Sequence, residues 1–474
     1  MQNKSAYLWG GAGKFAPQGL YLITTMVLAR YLTPDDFGMV GVLSIIFTVA
    51  GILLDAGLGG SLVKEKNITE EDKSSISIFN VVVSLLIYIV LFLSANHVEL
   101  YFGKEGLGNV LRWISLVFPI TAFGLVPQAL LTRALAYRQI CYISILSVVC
   151  ASIVSIIFAL NGMGVYSLVA YQLSIALVTV ISSSLFAKYF FTFHFSVSSL
   201  KRLLPFGMYT TLITVLDSIY ENLLTAISGK FLNMQQAGFM YQAKRTEETM
   251  SVSLATTVSG VAFPVLTKIK DERETFVREA ASTIKVIASI ALPLMLTVGV
   301  FSEEILVLLF GKQWADASFY LTVLTFAGVF LLLETLVRNF IKALCEVKKL
   351  FYATIIKRLL GILIIVLFLM VDPTFIVYGY LVSTIMGLLI NMFLYNYIIK
   401  SSYLKLIVNI FLIIFPSFLY FGIMMVVANF ISDVFIVKAI FALILLLIIY
   451  LLVLPFEGIN FFSYIKNKLK NERD

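Results

Sequence analysis

Charged residues are scarce in this chain: Asp, Glu, Lys and Arg make up 13% of its 474 residues. Soluble domains carry about a quarter. With 60% hydrophobic residues and a mean hydropathy of +0.97, no water-soluble fold could hide the apolar surface. Histidine (2) and cysteine (3) are scarcer still. His97 and His194 have no Cys or His close by, and Cys141, Cys150 and Cys345 lie in apolar runs without metal spacing. This argues against a metal centre and a disulfide framework. The chain also lacks a Walker A loop, a GxSxG elbow, an HExxH helix and a DxD pair in a soluble segment. No enzyme activity and no cofactor are therefore expected. The net charge of +8 brings no basic stripe with interleaved aromatics outside the apolar runs, which speaks against nucleic acid.

What is present is a series of apolar runs, each near the roughly 20 residues that a spanning helix needs. They cover 6–31, 37–60, 74–97, 107–133, 139–160, 164–187, 203–228, 236–262, 279–301, 317–343, 350–371, 374–399, 406–431 and 435–456. The expectation is an all-α polytopic membrane protein with 14 transmembrane helices. The first run, broken by Gly and Pro and without a cleavage site, reads as a retained helix rather than a signal peptide. Lys and Arg gather in cytoplasmic loops. With both termini in the cytoplasm, 25 of the 35 fall inside. Six fall outside: Arg30, Lys104, Arg112, Lys230, Lys312 and Lys438. Four lie mid-span: Lys244, Arg245, Lys285 and Arg338.

The chain repeats itself. Leu28–Val40, LARYLTPDDFGMV, returns more weakly as Ser228–Met240, SGKFLNMQQAGFM. Phe102-Gly103-Lys104 returns as Phe310-Gly311-Lys312, and Arg133-Ala134-Leu135 as Lys342-Ala343-Leu344. Order and spacing agree, so two related six-helix halves are expected, at 1–190 and 200–400, with two extra helices and a basic tail at 401–474. Six is even, so the repeat is parallel, about an axis along the membrane normal.

Two rigid halves around a cleft describe an alternating-access transporter, and ionisable groups within spans are the natural site candidates. The first run carries Lys14 beside Pro17, which should kink it; close helix packing through its glycines is the plain alternative. In the seventh run Asp217, Tyr220 and Glu221 share a face; in the eighth stand Lys244, Arg245 and Glu248. These charges could line a polar cleft or simply pair with one another. Lys285 is alone in its run, Glu334 and Arg338 are spaced to satisfy each other, and Asp55 precedes a glycine-rich turn it could orient. Lys14, Lys244, Arg245, Lys285 and Arg338 are cations set within the runs. Asp217, Glu221, Glu248 and Pro17 are the candidates for ion coupling or gating.

Leu28–Gly38 (LARYLTPDDFG), Asp55–Val63 (DAGLGGSLV), Ile68–Asp72 (ITEED), Pro127–Arg133 (PQALLTR), Gly164–Leu173 (GVYSLVAYQL), Gly229–Leu232 (GKFL) and Phe310–Trp314 (FGKQW) together carry a resemblance. Over roughly residues 6–400 the chain resembles the bacterial polysaccharide and lipid-linked oligosaccharide flippases of the multidrug/oligosaccharidyl-lipid/polysaccharide superfamily, and among them the colanic-acid and teichuronic-acid exporters. The resemblance implies two six-helix bundles plus two helices, and movement of an undecaprenyl-diphosphate-linked oligosaccharide from the inner to the outer leaflet for surface polysaccharide or lipopolysaccharide synthesis. It implies residence in the bacterial inner membrane and a cationic cavity suited to the diphosphate, with Lys14, Lys244, Arg245, Lys285 and Arg338 as the candidate substrate-binding residues of this chain. H+ or Na+ is the candidate coupling ion. A monomer working beside a polymerase and glycosyltransferases is expected. Where relatives often carry an Asp-Asn pair, this chain has Glu221-Asn222. The rivals are a cation-coupled multidrug exporter of the same superfamily, a membrane glycan polymerase or glycosyltransferase, and a non-transporting scaffold.

Overall fold

The computed structural model describes residues 2–399, apart from 56, 66 and 190–192, and then 415–424, 426, 442, 444 and 445. Among the described residues the regular structure is helical. In chain order the helices are α1 (Gln2–Tyr31), α2 (Pro34–Asp55), α3 (Leu58–Lys64), α4 (Glu70–Phe102), α5 (Leu107–Ile114), α6 (Val117–Ala122), α7 (Leu125–Arg133) and α8 (Tyr137–Leu160). They continue with α9 (Tyr166–Ala187), α10 (Val197–Phe231), α11 (Met234–Lys268), α12 (Arg273–Val300), α13 (Ser302–Phe310), α14 (Ala317–Ala343), α15 (Val347–Val371) and α16 (Ile376–Ile399).

Local chemistry sets the hairpins. Between α1 and α2, Thr33 donates its backbone N–H and its hydroxyl to Asp36 Oδ2 at 2.9 and 2.8 Å, and Thr33 Oγ1 accepts from the Asp36 N–H at 3.3 Å. This reciprocal cap, with Pro34 at the first helical position, starts α2 abruptly. Asn233 accepts the Gln236 N–H at 2.8 Å and starts α11 in the same way. Thr69 and Asp72 form a third such cap at α4. Asp55 accepts the Gly59 N–H at 3.1 Å and orients the turn into α3.

The solvent that this protein expects is written on α4. Of its eight buried residues, Asp72, Ser74, Ser75, Ser77, Asn80 and Ser84 are polar and only Ile76 and Ala95 apolar, while Leu86, Val90 and Leu93 lie exposed. A water-soluble helix would reverse that pattern. Polar groups inside and leucines outside fit a hydrocarbon surround, with small residues allowing close helix contact. Eight helical stretches among the described residues are long and apolar enough to cross a membrane, or nine if one bent pair counts as a span. The protein is a multi-span membrane protein. The two runs expected at 406–431 and 435–456 lie mostly outside the described residues.

Three of the sequence expectations need correction. The run 107–133 is not one rod but α5, α6 and α7, with a 47° bend before α7. Pro119 and Pro127 each sit in the first turn of a short helix, where a missing N–H costs little, and Gly124 lies between them. Glu334 does not turn to Arg338; it pairs with Lys357 of α15 and accepts from Asn391 Nδ2 of α16 at 3.0 Å. Lys357 and Arg358, counted among the inner basic ends, are buried in α15. By contrast α1 runs unbroken through Pro17.

The contacts divide the chain into two compact units. The first comprises residues 1–242 with 309–314. In it α2 packs along α10, and α1 along α8 and α8 along α9. Its core includes Val42, Leu43, Leu107, Leu111 and Ala237. Gly38 and Gly238 face each other so closely that a Cβ on Gly38 would overlap the Met234 carbonyl, and one on Gly238 the Pro34 carbonyl. The indole N–H of fully buried Trp314 donates to the Ala29 carbonyl at 3.0 Å, and Phe37 meets its ring edge-on at 5.1 Å. The second unit comprises 243–308 and 315–474. Its core joins α12, α14 and α16 through Ala288, Leu292, Met295, Leu332, Leu336 and Met392.

Candidate functional site

The sequence candidates fall in both units. In the first, Lys14 is exposed on α1 and Pro17 is half-buried. On α10, Tyr220 is buried, Asp217 half-buried and Glu221 exposed, so the expected common face is split. Asn222, next to Glu221, accepts from Ser44 Oγ of α2 at 2.9 Å and fixes that helix pair. A cavity of about 20 Å³, room for about one water, lies among Tyr21, Thr24, Thr25, Tyr171, Gln172 and Tyr241.

The second unit holds the denser polar cluster. Lys244 of α11 is buried, and its ammonium lies 3.6 Å from Glu248 Oε1 and 6.0 Å from the centre of the Tyr380 ring. Arg245 is exposed, and its guanidinium lies 3.6 Å from the other oxygen of Glu248. One carboxylate thus serves two cations at loose distances. Lys285 on α12 and Arg338 on α14 are half-buried. Deeper in the unit stand Glu334, Lys357 and Asn391, with Arg358 buried and the Arg338 and Arg358 charges acting on Lys357. No group of three or more His, Cys, Asp or Glu residues able to hold a metal occurs among the described residues.

Two features escaped the sequence reading. Lys357 and Arg358 lie buried in an apolar helix, and the partner of Lys357, Glu334, comes from the neighbouring α14. Glu247 is buried at 4% exposure while its neighbours Arg245 and Glu248 reach outward. The signal was present: Lys244, Glu247 and Ser251 follow helical spacing and form the inward face of α11.

One charge cluster outside the apolar runs is also clear. Asp72 Oδ1 and Oδ2 each accept from one Arg202 nitrogen at 2.7 Å. Burial works against the Asp72 carboxylate, but hydrogen bonds from Ser199 and Thr69 and the Arg202 charge outweigh it and hold its pKa below the usual range.

Comparison with known proteins decides the family. The profile of the polysaccharide biosynthesis protein family matches residues 27–319. The chain belongs to that family. Over 314 residues it is 27% identical to the succinoglycan biosynthesis transport protein ExoT of Rhizobium meliloti, covering 65% of this chain. The match spans 63% of that relative's length. It is 23% identical to an uncharacterized membrane protein in the cps region of Klebsiella pneumoniae, over 80% of this chain and 82% of that one. The lipopolysaccharide biosynthesis protein WzxC of Escherichia coli is 23% identical over 68% of this chain and 66% of its own length. Among solved structures, the lipid II flippase MurJ in an inward closed conformation superposes with a TM-score of 0.76 at 15% identity, over 94% of this chain and 99% of that chain. An inward-facing multidrug resistance MATE transporter gives 0.61 at 18% identity, over 83% of this chain and 99% of that one. At such identities these structures show a shared fold and nothing more.

Proposed function

We propose that this protein is a secondary transporter that moves an undecaprenyl-diphosphate-linked oligosaccharide from the inner to the outer leaflet of the bacterial inner membrane. The observation that carries this reading is the charge buried in apolar helices of the second unit: Lys244, Lys357 and Arg358 against Glu247 and Glu334, a surplus of one cation among the described residues. Ionisable groups are costly there and usually serve a polar passenger or an ion path. A diphosphate is a passenger of matching sign. Membership in the polysaccharide biosynthesis family supports the glycan, and one relative named as a transport protein supports transport over synthesis.

In this reading the repeat makes two pseudo-symmetric six-helix bundles among fourteen spans, at 1–190 and 200–400, with both termini cytoplasmic. The diphosphate meets Lys14, Lys244, Arg245, Lys285 and Arg338. Asp217, Glu221, Glu248 and Pro17 serve coupling or gating, with H+ or Na+ as the ion. The glycan rides in the cleft, the lipid tail stays in the bilayer, and the bundles rock. The protein works as a monomer beside a polymerase and glycosyltransferases. Deleting the gene is expected to remove a surface polysaccharide and to leave lipid-linked oligosaccharide in the inner leaflet. Unchanged polysaccharide together with new drug sensitivity would overturn the reading in favour of a multidrug exporter.

A further inference from the structure

Glu247 has no part in the transport scheme above, yet it is one of the two buried carboxylates among the described residues of the second unit, beside Glu334. It is 4% exposed. Gly328 of α14 lies so close to it that a Cβ there would overlap Oε1, and the Met295 methyl of α12 borders the same space. That oxygen accepts no hydrogen bond among the described residues. At that spot the groups from α12 and α14 are the Met295 methyl and the Gly328 backbone. The groups acting on Glu247 come from its own helix: the charges of Glu248 and Lys244, and the Ser251 hydroxyl. Lys244 in turn faces Tyr380 of α16, and Arg245 faces Glu248.

An ionised carboxylate in such a place costs several kcal/mol unless it is paired and fully hydrogen-bonded. A carboxylic acid escapes most of that cost, because the proton removes the charge. The state of Glu247 also sets the charge of the segment around it. With Glu247 ionised, Lys244 and Arg245 are balanced by Glu247 and Glu248. With a proton on Glu247, one positive charge is left over.

We propose that Glu247 is a proton-binding site whose occupancy sets the charge of the Lys244–Glu248 segment and, through it, the segment's affinity for the diphosphate of the passenger. The proton comes from water and returns to water; no bond other than O–H is made or broken. The choice of diphosphate rests on the transport reading, whereas the proton site rests on the geometry of α11, α12 and α14. Gly328 is part of the device, because any side chain there would push Glu247 off its seat.

The test uses the full-length protein in lipid nanodiscs with inorganic diphosphate as the probe. Binding is measured by calorimetry over an acidic-to-neutral pH series for wild type and Glu247→Gln, which cannot ionise. The wild type is expected to lose about tenfold in affinity as its carboxyl gives up the proton, the scale of one added charge at close range. The variant keeps the tighter value throughout. The probe's own titration is common to the two proteins, so their ratio is the readout. Identical pH profiles for the two would overturn the proposal. A second measurement needs no variant: a carbodiimide that reacts with protonated carboxyls in apolar surroundings is expected to modify Glu247, with labelling that falls as pH rises. No adduct at Glu247 at any pH would overturn the proposal as well. Absence of diphosphate binding in wild type and variant alike would count against the transport reading of this segment, and carbodiimide labelling would then decide the proton site alone.

Discussion

Removing either partner of the Glu334–Lys357 pair should cost far more than removing the pair. Both residues are almost fully buried, at 2% and 4% exposure. Glu334→Leu leaves the Lys357 ammonium enclosed with the Arg338 and Arg358 charges pushing against it, and removes the acceptor of Asn391 Nδ2. Stranding a buried charge costs about 3–5 kcal/mol, and the like-charged neighbours place this variant at the upper end. Lys357→Met strands the carboxylate instead, but Asn391 and the arginines remain, which places it at the lower end. The double variant strands neither charge of the pair; it still leaves Asn391 Nδ2 without that acceptor, a cost of about 1–3 kcal/mol set against the relief of burying no ion pair. Apolar replacement of a buried pair is commonly neutral or stabilising by about 1–4 kcal/mol, so the double variant should sit near wild type. The assay is thermal unfolding of the four purified proteins, read as a double-mutant cycle. A double variant that loses the sum of the two single losses would refute the pairing.

Other outcomes follow from the same structure. Gly38→Ala puts a methyl group into the Met234 carbonyl and should force α2 and α11 apart, abolishing export, whereas Gly51→Ala, with open space around it, should leave export unchanged; a surface-polysaccharide assay with protein level as control reads both. Asp72→Asn should lose about 1–2 kcal/mol at neutral pH, the scale of hydrogen bonds to a charged group, discounted because Arg202 is half-exposed. Its sign with pH is fixed by the lowered Asp72 pKa: the stabilisation is present above the unfolded value, near 3.9, and fades as pH falls through the folded one. The thermal difference between wild type and variant should therefore shrink in acid, and a constant difference would contradict the assignment. Replacing Arg245 or Lys285 by Ala should lower export at least about tenfold with protein level intact, the loss expected for one charge-assisted contact; wild-type output from both would reject those sites.

How much of this was legible beforehand depends on range. The hairpin at Thr33–Asp36 was readable because a cap is built from residues three apart, and Pro34 and Asp36 announce it. The echo at Asn233 followed for the same reason. The paired glycines Gly38 and Gly238 were found as a sequence match, and their mutual contact explains why a side chain is absent at both. The bend in 107–133 was missed because hydropathy averages over Pro119, Gly124 and Pro127, all inside a long apolar run. Glu334 was assigned to Arg338 because helical spacing sees only one helix, while the true partner, Lys357, comes from the next. Glu247 was passed over in a run of four charges, since sequence alone does not say which face of α11 turns inward. For Asp217 and Glu221 the helical face was right in register, but burial separated the two.

The most direct measurement of the central claim is leaflet exchange in proteoliposomes holding only this protein and an undecaprenyl-diphosphate-linked oligosaccharide. The glycan is labelled in the inner leaflet and its arrival outside is followed with an impermeant lectin. The account predicts movement well above protein-free liposomes, abolished by Arg245→Ala and restored with the wild-type chain. Rates equal to protein-free liposomes, with correctly folded protein in the membrane, would contradict it.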